Sequence, residues 1–167
     1  FKKSREGDMT EVTEADLRRF REVEPTVLDL KTQLVAEGMT SRLLQQGENS
    51  TFRILCYAVC RGEDHGMHAH IEEEHTFFVL HGRAEFSTLG GKLPIVEKNQ
   101  AVFLPKGCFY EFVNPGPEPL VVLRCGASAE TIERSTRLTP AGEPIPGRSK
   151  RHPHLNDVKY VEGAFLD

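Results

Sequence analysis

Apolar residues along this chain follow two different periods. Near the start, Leu17 and Phe20 fall one helical turn apart behind Thr13, with acids at Glu14 and Asp16. That pattern predicts a short helix with Thr13 as N-cap, ended by Glu24-Pro25 because the residue before proline avoids the α region. Its Leu17/Phe20 face is expected to dock on the body. Residues 27–35 leave two readings open, a second short helix or an extended edge leading into a turn at Gly38. From residue 41 onward the pattern changes to strands and turns. Strands are predicted at 41–46, 51–60, 75–81, 84–88, 93–97, 101–104, 109–113 and 119–125. Gln46-Gly47-Glu48-Asn49, Leu89-Gly90-Gly91 and Asn114-Pro115-Gly116-Pro117 supply the turns between them.

Short strands divided by Gly/Pro turns, with hardly a helix among them, predict an all-β sandwich or barrel able to enclose a ligand. Beyond Ala127 the signal weakens. Residues 129–134 are consistent with a turn of helix, and 138–156 carry four prolines with Arg148, Lys150 and Arg151, the composition of a loop or arm ordering against a partner subunit. Residues 159–166 read as a weak closing strand or helix. Three regions are expected: an N-terminal extension with one short helix (1–40), a β-barrel (41–127) and an irregular C-terminal arm (128–167).

Composition narrows the partners. The chain has 167 residues, 38% of them hydrophobic and 28% charged, and a net charge of −4 with both signs interspersed. No basic stripe points to nucleic acid, and no apolar run approaches the ~20 residues that span a bilayer. The opening Phe1-Lys2-Lys3-Ser4-Arg5-Glu6-Gly7-Asp8 lacks the apolar core of a signal peptide. Cys56 and Cys60 lie along one predicted strand, too far apart for a disulfide, and Cys108 and Cys125 show no pairing or zinc-ribbon spacing. A cytoplasmic location is expected.

The chemistry concentrates in His68-Ala69-His70-Ile71-Glu72-Glu73-Glu74-His75. Histidines two apart on a strand share a face. A third arrives five residues later at the head of the 75–81 strand, so three imidazoles from two neighbouring strands are placed to hold one divalent metal. The other four histidines, His65, His81, His152 and His154, are expected at the surface.

Two segments resemble the paired motifs of the cupin superfamily. The first motif runs Gly, five residues, His-x-His, three or four residues, Glu, six residues, Gly. Gly62, His68, His70, His75 and Gly82 reproduce the longer spacing, with His75 in place of the glutamate. Glu74, one position earlier, fits only with a one-residue register shift and otherwise belongs to a solvated acidic run. The second motif runs Gly, five residues, Pro-x-Gly, two residues, His, three residues, Asn. Here Asn99, Pro105-Lys106-Gly107, Tyr110 and Asn114 reproduce the spacing, with Asn99 for glycine and Tyr110 for the fourth metal-binding histidine.

The resemblance implies a double-stranded β-helix, or jelly-roll barrel, of the compact cupin type, with one divalent transition ion (Fe, Mn, Co, Ni, Cu or Zn) inside and a small-molecule substrate. It implies His68, His70 and His75 as metal ligands, with Glu74 the alternative to His75. Tyr110 is expected to stand back from the ion and orient or protonate substrate, with weak ligation as phenolate the alternative. His75, Phe77 and Val79 share one strand face, as do Tyr110, Phe112 and Asn114. Phe77, Phe103 and Phe112 are therefore expected to wall the substrate pocket, and Cys108 to lie near it. A homodimer is expected from the resemblance and the long arm. Three activities fit: a dioxygenase-like oxidoreductase acting on a chelating aromatic or diketone-like substrate, a redox-neutral isomerase, lyase, decarboxylase or hydrolase, and a non-catalytic small-molecule binder.

Overall fold

The computed structural model of the chain describes residues 12–59, 66–129, 137–145 and 157–166. Among the described residues one helix, α1 (Glu14–Arg21), precedes thirteen strands. Thr13 caps α1 through a capping box with Asp16. The helix buries none of its residues, however, and Phe20 is half exposed. The expected docking of Leu17 and Phe20 is not found. Residues 27–32 are not helical, and the chain then enters β1 (Gln33–Glu37), which settles the reading of that segment as an extended edge.

The larger sheet has five antiparallel strands: β2 (Met39–Gln46), β3 (Ser50–Tyr57), β11 (Leu120–Ala127), β5 (Glu74–His81) and β9 (Ala101–Leu104), in that order across the sheet. Opposite it, β6 (Arg83–Thr88) pairs with β10 (Tyr110–Val113), β7 (Gly91–Lys92) and β8 (Val96–Glu97). From β5 onward the chain winds between the two sheets, with β5 in the larger, β6 to β8 in the smaller, β9 in the larger, β10 in the smaller and β11 in the larger, the path of a double-stranded β-helix. The inward residues, Leu55, Tyr57, Phe77, Val79, Phe86, Phe112, Leu120 and Val122 among them, form the main core.

The outer face of the larger sheet has a second, smaller core. Ile54, Cys56 and Val121 are covered there by Leu34 and Val35 of β1 and by residues of β13 (Lys159–Phe165). β1 and β13 pair as a two-stranded ribbon with irregular register, tied further by Lys159 Nζ to Glu37. The 159–166 segment is thus a strand belonging to the body. The turn of helix expected at 129–134 falls almost wholly outside the described residues, as do His65, His152 and His154. No helix among the described residues is long and apolar enough to cross a membrane.

Candidate metal centre

Local chemistry explains how the histidines are presented. β4 (Ala69–His70) is a two-residue strand, too short to hold itself. The Pro105-Lys106-Gly107 turn and the start of β10 hold it instead. Gly107 N–H donates to the His70 carbonyl at 2.7 Å, and His68 and Tyr110 exchange backbone hydrogen bonds at 3.0 and 2.9 Å. On its other side β12 (Arg137–Leu138) pairs with Ala69 and His70. The two motifs read in the sequence are therefore hydrogen-bonded to one another, and this brings Tyr110 beside the histidines.

One departure from the motifs, Asn99, and two matching positions, Gly82 and Asn114, have local reasons. Asn99 has a positive φ of 69°, a left-handed conformation that asparagine tolerates better than most residues. Gly82 has φ 70° and its Cα lies against the Pro119 carbonyl, so any Cβ would collide there. Asn114 is fully buried and bonds the backbone of Tyr57, Glu118 and Gly116, which fixes the turn after β10.

His70, Glu73 and His75 converge, each buried, with one ligand atom apiece all within 4.8 Å of one another. His75 Nε2 lies 3.3 Å and His70 Nδ1 3.5 Å from Glu73 Oε2. A carboxylate oxygen accepts, so the His75 Nε2–H donates to Glu73, and the Tyr110 hydroxyl donates to His75 Nδ1 at 3.3 Å. His68 lies outside this trio, its ring 5.3 Å from His70 and 4.8 Å from Tyr110. Its Nδ1–H donates to the Gly66 carbonyl at 2.9 Å, which leaves Nε2 carrying the lone pair.

Burial dominates the electrostatics. It pulls His70 from its ordinary 6.5 down to about 4, against the upward pull of the Glu73 hydrogen bond. His75 is lowered for the same first reason, again opposed by Glu73. Both imidazoles are neutral at pH 7, the form that binds a metal without first losing a proton. Two neutral nitrogens and a carboxylate within this spacing fit one divalent transition ion after small side-chain adjustments, since ligands on opposite sides of an ion stand about 4 Å apart.

Two of the expected roles need correction. Glu74 is exposed and turned away from His75, so it is not the carboxylate of this cluster. That carboxylate is Glu73, only 3% exposed, in the turn between β4 and β5 where strand alternation does not apply. Phe103 is 56% exposed on the outer face of β9 and walls no pocket. Phe77 and Phe112 do face inward, but they pack on each other at 5.3 Å and on Phe86 at 5.6 and 5.0 Å. They form a solid floor under the site, with Phe77 touching His75 edge-on at 6.0 Å. Cys108 is half buried against the main core. His81 stands at the far end of β5 near Glu118, remote from the trio.

Comparison with known proteins agrees with this architecture. Residues 58–124 match the family described as "Cupin domain". A conserved Streptococcus pyogenes protein of unknown function is similar at 21% identity and TM-score 0.52, over 65% of this chain and 92% of that one. The cupin domain of Schizosaccharomyces pombe Cnp3 aligns at 16% identity and TM-score 0.50, over 56% and 67%. The DMSP lyase DddQ of Ruegeria pomeroyi aligns at 19% identity and TM-score 0.51, over 64% and 53%. No curated protein sequence matches the chain. With both motifs joined at one site inside a double-stranded β-helix, residues 58–124 of the chain form a cupin domain.

Proposed function

We propose that this chain is a metal-dependent enzyme that uses dioxygen on a small chelating substrate. The observation carrying the proposal is the buried trio of two histidines and one carboxylate, His70, His75 and Glu73. That donor set, two histidines and one carboxylate, would leave coordination positions for substrate and has the composition used by non-haem Fe(II) oxygenases. When bound, the ion supplies a Lewis-acid centre and an electron source for dioxygen.

The protein's own residues hold and tune that site. With an ion on Nε2, the single proton of neutral His75 would move to Nδ1, 3.3 Å from the Tyr110 oxygen. Tyr110 then accepts from His75, fixes the ring, and turns its own O–H toward substrate. His68 is positioned by Gly66 at the edge of the trio to add a further donor. The Phe77–Phe86–Phe112 floor closes the barrel beneath and excludes water from below.

A second reading rests on the Tyr110–His75 contact. A phenol beside the ligands is also equipped to move a proton to or from a polarised carbonyl, which serves redox-neutral lyase or isomerase chemistry. The fold shared with a lyase accommodates this reading. The free thiols Cys56, Cys108 and Cys125 fit a reducing compartment such as the cytoplasm.

Metal analysis of protein purified without chelators, combined with oxygen uptake across a panel of small chelating acids and diketones, tests the proposal. Iron with substrate-dependent oxygen uptake supports it. Turnover without oxygen uptake supports the second reading, and ion-independent retention of an unchanged small molecule removes both. Tyr110→Phe is expected to keep metal content and suppress turnover; loss of metal in that variant would make the phenol a ligand.

A further inference from the structure

Two charged side chains on the barrel's inner face have no part in the chemistry above. Arg53 of β3 and Arg124 of β11 are direct cross-strand partners, and Arg124 lies opposite Phe77 of β5. In the adjacent row Thr51, Gly126 and His75 line up in the same way. Leu55, Tyr57, Leu120, Val122 and Phe77, in phase with the arginines on these strands, belong to the interior core. Strand alternation therefore turns both arginines inward, next to the His75 row.

Like charges placed directly across a strand pair repel. Each guanidinium also carries five N–H donors and no acceptor. Among the described residues neither guanidinium makes a hydrogen bond or ion pair, and Arg124 Nε is buried with no partner. The other buried side-chain atom lacking a partner among the described residues is Thr51 Oγ1, on the same face. A Cβ on Gly126 would stand 2.6 Å from that oxygen, 3.4 Å from His75 Cδ2 and 3.5 Å from Glu73 Oε1. Glycine there keeps the surface between the arginines and the histidine cluster clear. The charge of Arg124 reaches both His70 and His75, and that of Glu73 reaches Arg53, so the pair stands close enough to the cluster for their charges to be felt. Buried donors without acceptors are costly, and a structure retains them where a ligand supplies what is missing.

We propose that Arg53, Arg124 and Thr51 form a carboxylate clamp beside the metal centre, so that the substrate is a small carboxylic acid whose second oxygen-bearing group faces the ion. The inference rests on the reading above for the ion but stands on the arginines for the acid. Two planar guanidinium forks match a flat carboxylate bidentately, and the Thr51 hydroxyl donates to a remaining lone pair. The apolar floor of Phe77 and Val102, in the same row as Arg124, suits the short hydrocarbon stem of such an acid.

Calorimetric titration of succinate, with succinamide and inorganic phosphate as controls, into metal-free and zinc-loaded protein tests this. Succinate is expected to bind both forms and succinamide neither. Arg53→Leu and Arg124→Leu are each expected to weaken succinate roughly tenfold or more while leaving zinc stoichiometry unchanged. Arg124→Lys keeps the charge and loses the fork, and is expected to weaken binding as well, which covers the case of a leucine variant that fails to fold. Succinate affinity untouched by these substitutions, or phosphate binding more tightly than succinate, would overturn the clamp. Failure to load zinc with arginine-dependent succinate binding intact would sink the metal reading and leave the clamp standing.

Discussion

The two ends of the barrel interior are built from the same strands and differ in what those strands leave unresolved. Along β5, Phe77 and Val79 enter a packed aromatic and aliphatic mass with Phe86, Phe112 and Leu120. Two residues back along the same face, His75 meets Glu73, Tyr110 and His70. β11 and β3 repeat the division, with Leu120, Val122, Leu55 and Tyr57 at one end and Arg124 and Thr51 at the other. The closed end is where burial stabilises the fold. The other end gathers polar groups whose burial opposes folding, and which the proposed ion and acid would satisfy.

The largest effect expected from breaking this contrast lies at the closed end. Phe86→Ala removes a fully buried ring and is expected to cost about 3–5 kcal/mol in chemical denaturation. Metal binding should survive in whatever fraction remains folded.

Acid acts on the other end. Above pH 6.5 His70 is neutral in the folded and unfolded chains alike and contributes nothing to pH dependence. Between 6.5 and about 4 only the unfolded chain takes up that proton, so metal-free protein loses stability as pH falls through this window. The loss reaches roughly 3 kcal/mol, read from denaturation midpoints at successive pH values. His70→Gln should make that slope shallower, with His75 supplying what remains, and an unchanged slope would mean that His70 is not held neutral by burial.

Glu73→Gln separates the two roles of the cluster. The amide keeps shape and hydrogen bonding, so the metal-free variant should stay within about 1 kcal/mol of the parent. Its metal content should drop to a small fraction, while the matched change at exposed Glu74 should alter neither quantity. Smallest of all is Phe103→Ser on the outer face, expected to shift stability by about 0.5 kcal/mol or less and to spare the site.

The strands, the motif spacing and the histidines were legible because period-two alternation and turn residues carry them directly. The closeness of Tyr110 to the histidines was legible too, through the second motif. Glu73 was not. It sits in a turn, where no periodicity tells inward from outward, within three successive glutamates that read as a solvated run. Arg53 and Arg124 did leave a signal, a lone cation at an inward position of an otherwise apolar strand, but its meaning depends on their being cross-strand neighbours. β13 was hard to read because none of its residues is fully buried, and its pairing with β1 joins segments more than a hundred residues apart.

That ribbon also bears on how the molecule comes apart. β1 and β13 are held by each other and by one apolar patch, and Lys159 reaches Glu37 across 122 residues of chain. A contact so distant in sequence closes late and is among the first to open. Beneath it the Cys56 thiol is fully enclosed, its ionisation suppressed by burial. Peeling of the ribbon would uncover Cys56 while the barrel stays intact, so the rate at which a thiol reagent labels this cysteine serves as a built-in clock for fraying of the protein's outer seam.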